Sequence, residues 1–239
     1  MQVHPSLRDL LTPAHRRPGL EVPADPTSTF GHLVQSAGVP LTEVGGLRLD
    51  GGVVAPADRL RPGVLHVEPV TRPQRTATWP PPFVLDVHLG SLARRLRLLG
   101  LDTAYATHAD DPELVRIATE ESRVLLTQDR GLLRRRALPE GAYVRGAGTE
   151  PQLDDVLDRF APPLAPWTRC TACNGELAPV SKVDVLDELE PGTRRCYDVY
   201  ARCTDCGQVY WRGAHSHRID RVIAAARRAH PDHREAPQR

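Results

Sequence analysis

The chain has 239 residues, a net charge of +1, 40% hydrophobic residues and only 5% aromatic ones, which suits one large domain or two to three small ones, with cores of Leu, Val and Ala. The near-neutral balance excludes a nucleic-acid binder held by bulk charge, so any such affinity has to come from a local patch. No apolar run reaches the roughly 18 residues of a membrane span, and Met1-Gln2-Val3-His4-Pro5 is not the start of a signal peptide, so the expected location is the cytoplasm.

Residues 1–70 read as a small mixed unit. Leu20-Glu21-Val22 suggests a strand. Ser28-Thr29-Phe30 opens a helix with Phe30, Leu33, Val34 and Ala37 at helical spacing and Gly38 as its stop. Leu47-Arg48-Leu49 and Val53-Val54 flank Asp50-Gly51-Gly52, a hairpin signal. The alternation in Val64-Leu65-His66-Val67-Glu68 closes the unit with a strand. This order resembles the ubiquitin-like β-grasp. Residues 71–82 hold four prolines without apolar periodicity, and they predict an extended linker that lets the first unit fold separately.

Residues 83–165 read as a second unit, and within it 83–146 alternate strand and helix. Phe83-Val84-Leu85 is an apolar strand ending at Asp86. The next helix carries Leu89, Leu92, Ala93, Leu96 and Leu99 on one face and stops at Gly100. Thr103 to Thr107 forms a second strand. Asp110-Asp111-Pro112-Glu113 starts another helix, with proline in its first turn. Val124-Leu125-Leu126-Thr127 is a third strand, followed by Gln128-Asp129-Arg130, and Ala142 to Arg145 a fourth. The pattern predicts an α/β fold with a parallel sheet and right-handed crossovers.

Ligands of such sheets bind beyond the carboxyl ends of the strands. Asp86, Asp110, Asp111 and Asp129 all fall there. Clustered carboxylates repel one another, and a magnesium or manganese ion would relieve that repulsion through oxygen ligands. Arginines flank the acids: Arg94 and Arg97 on the first helix, Arg130 and Arg134 after Asp129. They are candidates for holding the phosphate backbone of a nucleic acid.

Residues 166–230 carry two Cys-x-x-Cys pairs, Cys170/Cys173 and Cys203/Cys206, separated by 29 residues. The doubled spacing points to one structural zinc with four thiolate ligands. Cys196 has no such partner and reads as a half-buried strand residue. A helix is expected to end the region.

The runs Phe83 to Asp86, Leu89 to Thr103, Asp110 to Leu114 and Val124 to Arg130, with Cys170 to Gly175 and Cys206 to Gly213, resemble the Mut-7-type C-terminal RNase domain. That resemblance implies a PIN-like nuclease core, a four-cysteine zinc ribbon and, in bacterial members, a ubiquitin-like N-terminal domain. It implies metal-binding acids at Asp86, Asp111 and Asp129 and zinc at the four paired cysteines. Arg95 stands where the family typically has an aromatic residue. The expected activity is metal-dependent endonucleolytic cleavage of RNA, with the ribbon as a structural and RNA-docking appendage. Two other readings stay open: a non-catalytic RNA- or ribosome-binding protein, and an adaptor whose ubiquitin-like domain recruits a protein partner.

Overall fold

The computed structural model describes residues 1–16, 20–22, 25–213 and 216–229. The N-terminal region is ubiquitin-like. In chain order it comprises β1 (Gln2–Val3), α1 (Phe30–Ala37), β2 (Val44–Leu49), β3 (Gly52–Val53) and β4 (Leu65–Pro69), with sheet order β1-β4-β2-β3. Thr29 caps α1 by accepting a hydrogen bond from the His32 N–H at 3.2 Å. Phe30, Val34 and Ala37 then pack on Leu47, Leu65 and Val67 of the sheet. Gly38 ends the helix at φ +122°, and a Cβ there would lie 2.6 Å from the Leu10 carbonyl oxygen. Only glycine therefore lets residues 10–12 pass so close to the helix end.

Leu20 to Val22 is not a strand. The Leu20 carbonyl accepts instead from the Met1 ammonium at 2.6 Å, and β1 takes the sheet edge, parallel to β4.

The central region comprises β5 (Phe83–Leu85), α2 (Gly90–Leu98), β6 (Thr103–Tyr105), α3 (Asp111–Glu120), β7 (Val124–Thr127), β8 (Gly141–Tyr143) and α4 (Thr149–Phe160). Its four strands are parallel, in the order β6-β5-β7-β8. Strands β5 and β7 are buried on both faces, as a helix-covered parallel sheet requires. Their alternate residues divide the core. Phe83, Leu85 and Leu126 pack with α2 and α4, while Val84 and Leu125 pack with α3. Helix α4 was not expected, although Leu153, Val156, Leu157 and Phe160 form its buried stripe at helical spacing.

The last region comprises β9 (Leu177–Val180), α5 (Pro191–Cys196), β10 (Tyr200–Cys203), β11 (Val209–Trp211) and α6 (Ser216–Ala229), with an antiparallel sheet in the order β11-β10-β9. Cys196 is exposed at the end of α5 rather than half-buried in a strand. Ile223 of α6 packs back into the central core. Among the described residues, no helix is long and apolar enough to cross a membrane.

The proline-rich stretch does not run free. Arg72 forms ion pairs with Asp155 at 2.7 Å and Asp158 at 2.6 Å. The Gln74 N–H donates to the Arg159 carbonyl at 2.6 Å, and the Ala77 N–H to Glu140 at 3.1 Å. Beneath it lies an ion pair between Glu43 and Arg159 at 2.6 Å, each side chain only 1% exposed. Glu43 also accepts from the Tyr143 N–H at 2.8 Å and from Arg145 at 3.2 Å. Arg159 also donates to the Thr42 carbonyl and to Gln74. The N-terminal unit is thus clasped onto α4 and β8, because a buried charge has to be paired and fully hydrogen-bonded.

Removing one partner strands the other in a dry interface. Glu43→Ala is expected to destabilise the chain by about 3–5 kcal/mol. A double replacement by apolar residues of similar volume should recover most of that loss. Denaturant unfolding of the single and double variants checks both expectations.

Candidate functional site

The strand order reverses between β5 and β7, since one crossover runs outward from β5 to β6 and the next returns to β7. At such a switch point the loops leaving the carboxyl ends of the two strands part and open a crevice. Asp86 leaves β5 and Asp129 leaves β7, while Asp111 opens α3 after β6. All three line one cavity of about 600 Å³.

The acids are held differently. Asp86 is 5% exposed. Its Oδ1 accepts from the His88 N–H at 2.7 Å, and its Oδ2 from the Thr127 hydroxyl. The Thr127 oxygen accepts in turn from the Asp129 N–H at 2.8 Å, so one fully buried threonine links the two acidic loops. Asp129 Oδ1 accepts from the Gly131 N–H at 2.6 Å, which folds its loop back. Asp111 pairs with Arg135 at 3.0 Å, with both side chains about half exposed. Such a pair contributes about 0–1 kcal/mol and gives way easily to a ligand. Asp110 caps α3 by accepting from the Glu113 N–H at 2.9 Å, and it is not part of the cavity lining.

The oxygen donors suit magnesium or manganese, which are commonly held by one or two carboxylates with the rest of the shell water. The three acids do not form a closed cage. Among the described residues, only the four paired cysteines bring three or more ligand atoms within 4.8 Å of one another.

The arginines divide. Arg94 is exposed. Arg97 is not an RNA ligand: it is 3% exposed and donates to the carbonyls of Thr103, Thr171 and Ala172. Arg130 donates to the Leu10 carbonyl at 2.7 Å and Arg134 to the Gly38 carbonyl at 2.8 Å. Both line the cavity, but they also hold the Asp129 loop against the N-terminal unit. Thr12 of that unit joins the cavity wall, which the separate-unit expectation did not foresee.

The four paired cysteines are free thiols. Their closest sulfurs are 3.4 Å apart for Cys173 and Cys203 and 3.7 Å for Cys170 and Cys206. These separations are too long for a disulfide. They approach the edge of about 3.8 Å that zinc–sulfur bonds of about 2.3 Å give a tetrahedron, so the group can hold zinc. Burial pushes the Cys170 thiol up, but hydrogen bonds led by the Tyr210 hydroxyl outweigh it and bring it down to about 6. Burial and the three neighbouring sulfurs push Cys173 up to about 12. A quartet of thiolates at this spacing therefore needs a cation.

Two family models match the chain: the Mut7-C RNAse domain over residues 81–223 and the Mut7-C ubiquitin domain over residues 1–75. The chain belongs to the Mut7-C RNase family. No curated protein and no solved structure matches it.

In this Mut7-C chain the first cysteine knuckle is docked on the amino end of β6. Asn174 accepts from the Thr103 N–H at 2.9 Å and donates to Asp102 at 2.8 Å. Its own backbone is left-handed, at φ +77°, a conformation asparagine tolerates better than most residues. Burial raises the Asp102 carboxyl, but hydrogen bonds from Arg123 and Asn174 outweigh it and hold it below its usual range. Thr127, Thr12 and Asn174 were not singled out from the sequence. The signal for Thr127 was a hydroxyl closing an otherwise apolar strand.

Zinc analysis of reduced protein, purified without chelator, is expected to find about one zinc per chain. Cys173→Ser should remove the metal and loosen the ribbon. Cys196→Ser should leave the zinc content unchanged. A Cys173→Ser protein that keeps its zinc would contradict the four-cysteine site.

Proposed function

We propose that the chain is a metal-dependent endoribonuclease acting at the cavity between β5, α3 and β7. The observation that carries this reading is that Asp86, Asp111 and Asp129, from three separate loops, line one cavity at the switch point. Asp86 and Asp129 would hold a magnesium or manganese ion, and Asp111 would bind it or orient the attacking water. When bound, such an ion polarises a phosphodiester and promotes ionisation of water. The chain's own contribution is orientation. The His88 N–H and the Thr127 hydroxyl leave Asp86 little freedom, and the Gly131 N–H restrains Asp129. Arg130 and Arg134 put positive charge on the cavity wall, where a phosphate would sit.

A second reading, RNA binding without turnover, draws on the engagement of Asp111 by Arg135. An adaptor role for the ubiquitin-like unit would have to use a surface other than the one that buries Glu43.

The two readings separate on Asp86→Asn, Asp129→Asn and Thr127→Val, assayed on single-stranded RNA with manganese or magnesium. Each Asp→Asn change is expected to lower the cleavage rate about 100-fold or more, as loss of a central catalytic group does. Thr127→Val keeps both carboxylates but removes one partner of Asp86 and the acceptor of the Asp129 N–H, and a loss of about 10- to 100-fold is expected. RNA binding with no metal-dependent cleavage by the unaltered chain would favour the second reading.

A further inference from the structure

The zinc ribbon has a groove of its own, about 200 Å³ in volume, lined by Trp167, Val199, Tyr200, Tyr210, Trp211 and Arg212. Two of the chain's three tryptophans and two of its five tyrosines meet there. Trp167, Tyr210 and Trp211 keep part of their surface exposed, whereas Tyr200 is 3% exposed and packs in the ribbon's own core as the floor of the groove. Trp211 is 37% exposed and Val199 75%, so the groove is open to solvent. Among the described residues, no acidic side chain lines it.

Its aromatic walls are held in place. Trp167 has a left-handed backbone, at φ +68°. That is a strained state for a bulky residue, and it persists only where the surroundings impose it. The Arg212 guanidinium lies over the Trp167 ring, 5.5 Å from its centroid. A Cβ on Gly213 would lie 2.9 Å from Trp211 Nε1, so the indole rests against bare backbone. The Tyr210 hydroxyl is 3.0 Å from Cys170 Sγ, which ties one wall to the cysteine cluster.

We propose that this groove stacks bases of single-stranded RNA, as a second RNA contact remote from the acidic cavity. The proposal rests on the ribonuclease reading for its choice of RNA. Exposed aromatic faces bind any base by stacking, and an adjacent arginine answers the phosphate. Proline-rich peptides also use aromatic grooves. RNA is favoured here because, among the described residues, the charged residue in the lining is an arginine, in a chain of an RNase family. The ribbon docks on Thr103, the first residue of β6, whereas the acids lie at the carboxyl ends of the strands. The groove would therefore hold a stretch of RNA several nucleotides from the one being cleaved.

The test uses the full-length, zinc-loaded chain carrying Asp86→Asn and Trp79→Phe, without added magnesium or manganese. Its remaining tryptophans are then the two in the groove. An oligouridylate of about 16 nucleotides, at the long end of single-strand site sizes, is expected to quench their fluorescence. Trp167→Ala and Trp211→Ala should each weaken binding, read by anisotropy of a labelled oligonucleotide, by about 5- to 100-fold. Trp211→Phe, which keeps a ring, should retain most of the affinity. Arg212→Gln changes an exposed side chain and should weaken binding without loss of zinc. In the chain with Asp86 intact, the tryptophan variants should raise KM for long RNA and leave cleavage of a very short RNA unchanged. Variants that keep their zinc yet bind RNA as tightly as the parent would overturn the proposal. So would quenching by a proline-rich peptide but not by RNA. Cleavage indifferent to both tryptophans would remove the groove and leave the acidic site standing. Tryptophan-dependent binding in a chain that cleaves nothing would support the groove and remove the nuclease reading.

Discussion

The ion pair between Glu43 and Arg159 joins three stretches of the chain in one buried place. Glu43 comes from the turn before β2, Arg159 from the last turn of α4, and Gln74 from the proline-rich segment laid over both. Two charges that are each 1% exposed are tolerated only when their remaining hydrogen-bonding groups are matched. Here Tyr143, Arg145, Thr42 and Gln74 do the matching. The same contact sets Leu10, Thr12 and Gly38 beside the Asp129 loop, where Arg130 and Arg134 reach two of their carbonyls. The ubiquitin-like unit thereby becomes a wall of the acidic cavity.

The cavity itself follows from strand order. A parallel sheet that starts in its middle and grows both ways has one place where neighbouring crossovers part. Asp86 and Asp129 stand on either side of that place, and the Thr127 hydroxyl between them serves one as donor and the other as acceptor. Burial of Asp86 would be costly without these partners. The hydrogen bonds that make its burial tolerable also aim it.

The four-cysteine ribbon is attached at the opposite end of the sheet. Arg97 points out of α2 into the carbonyls of the first cysteine knuckle, and Asn174 of that knuckle takes the N–H of Thr103. Gly100, at φ +81°, lets the chain near Ala165 press against the end of α2, where a Cβ would collide with a carbonyl oxygen. The four-cysteine cluster and the backbone docking thus involve the same few residues.

The sequence by itself determined the local elements and the chemistry at their ends. Apolar runs such as Val124 to Leu126 can only be buried strands or helix cores. The acids that follow them and the doubled cysteine spacing are the residue types that oxygen-ligand and thiolate sites use, although an aspartate there can equally cap a helix, as Asp110 does. Helix α4 was legible too, from Leu153, Val156, Leu157 and Phe160, but it was not read. Only the tertiary structure decided what each arginine does. Arg94 and Arg97 stand three residues apart on one helix, yet one faces water and the other is covered by a loop more than seventy positions later in the chain. It also turned the proline-rich segment from a tether into a strap and brought Thr12 to the acids. Charge placement of this kind depends on which distant backbone carbonyls come within about 3 Å of a guanidinium, and no local pattern carries that distance.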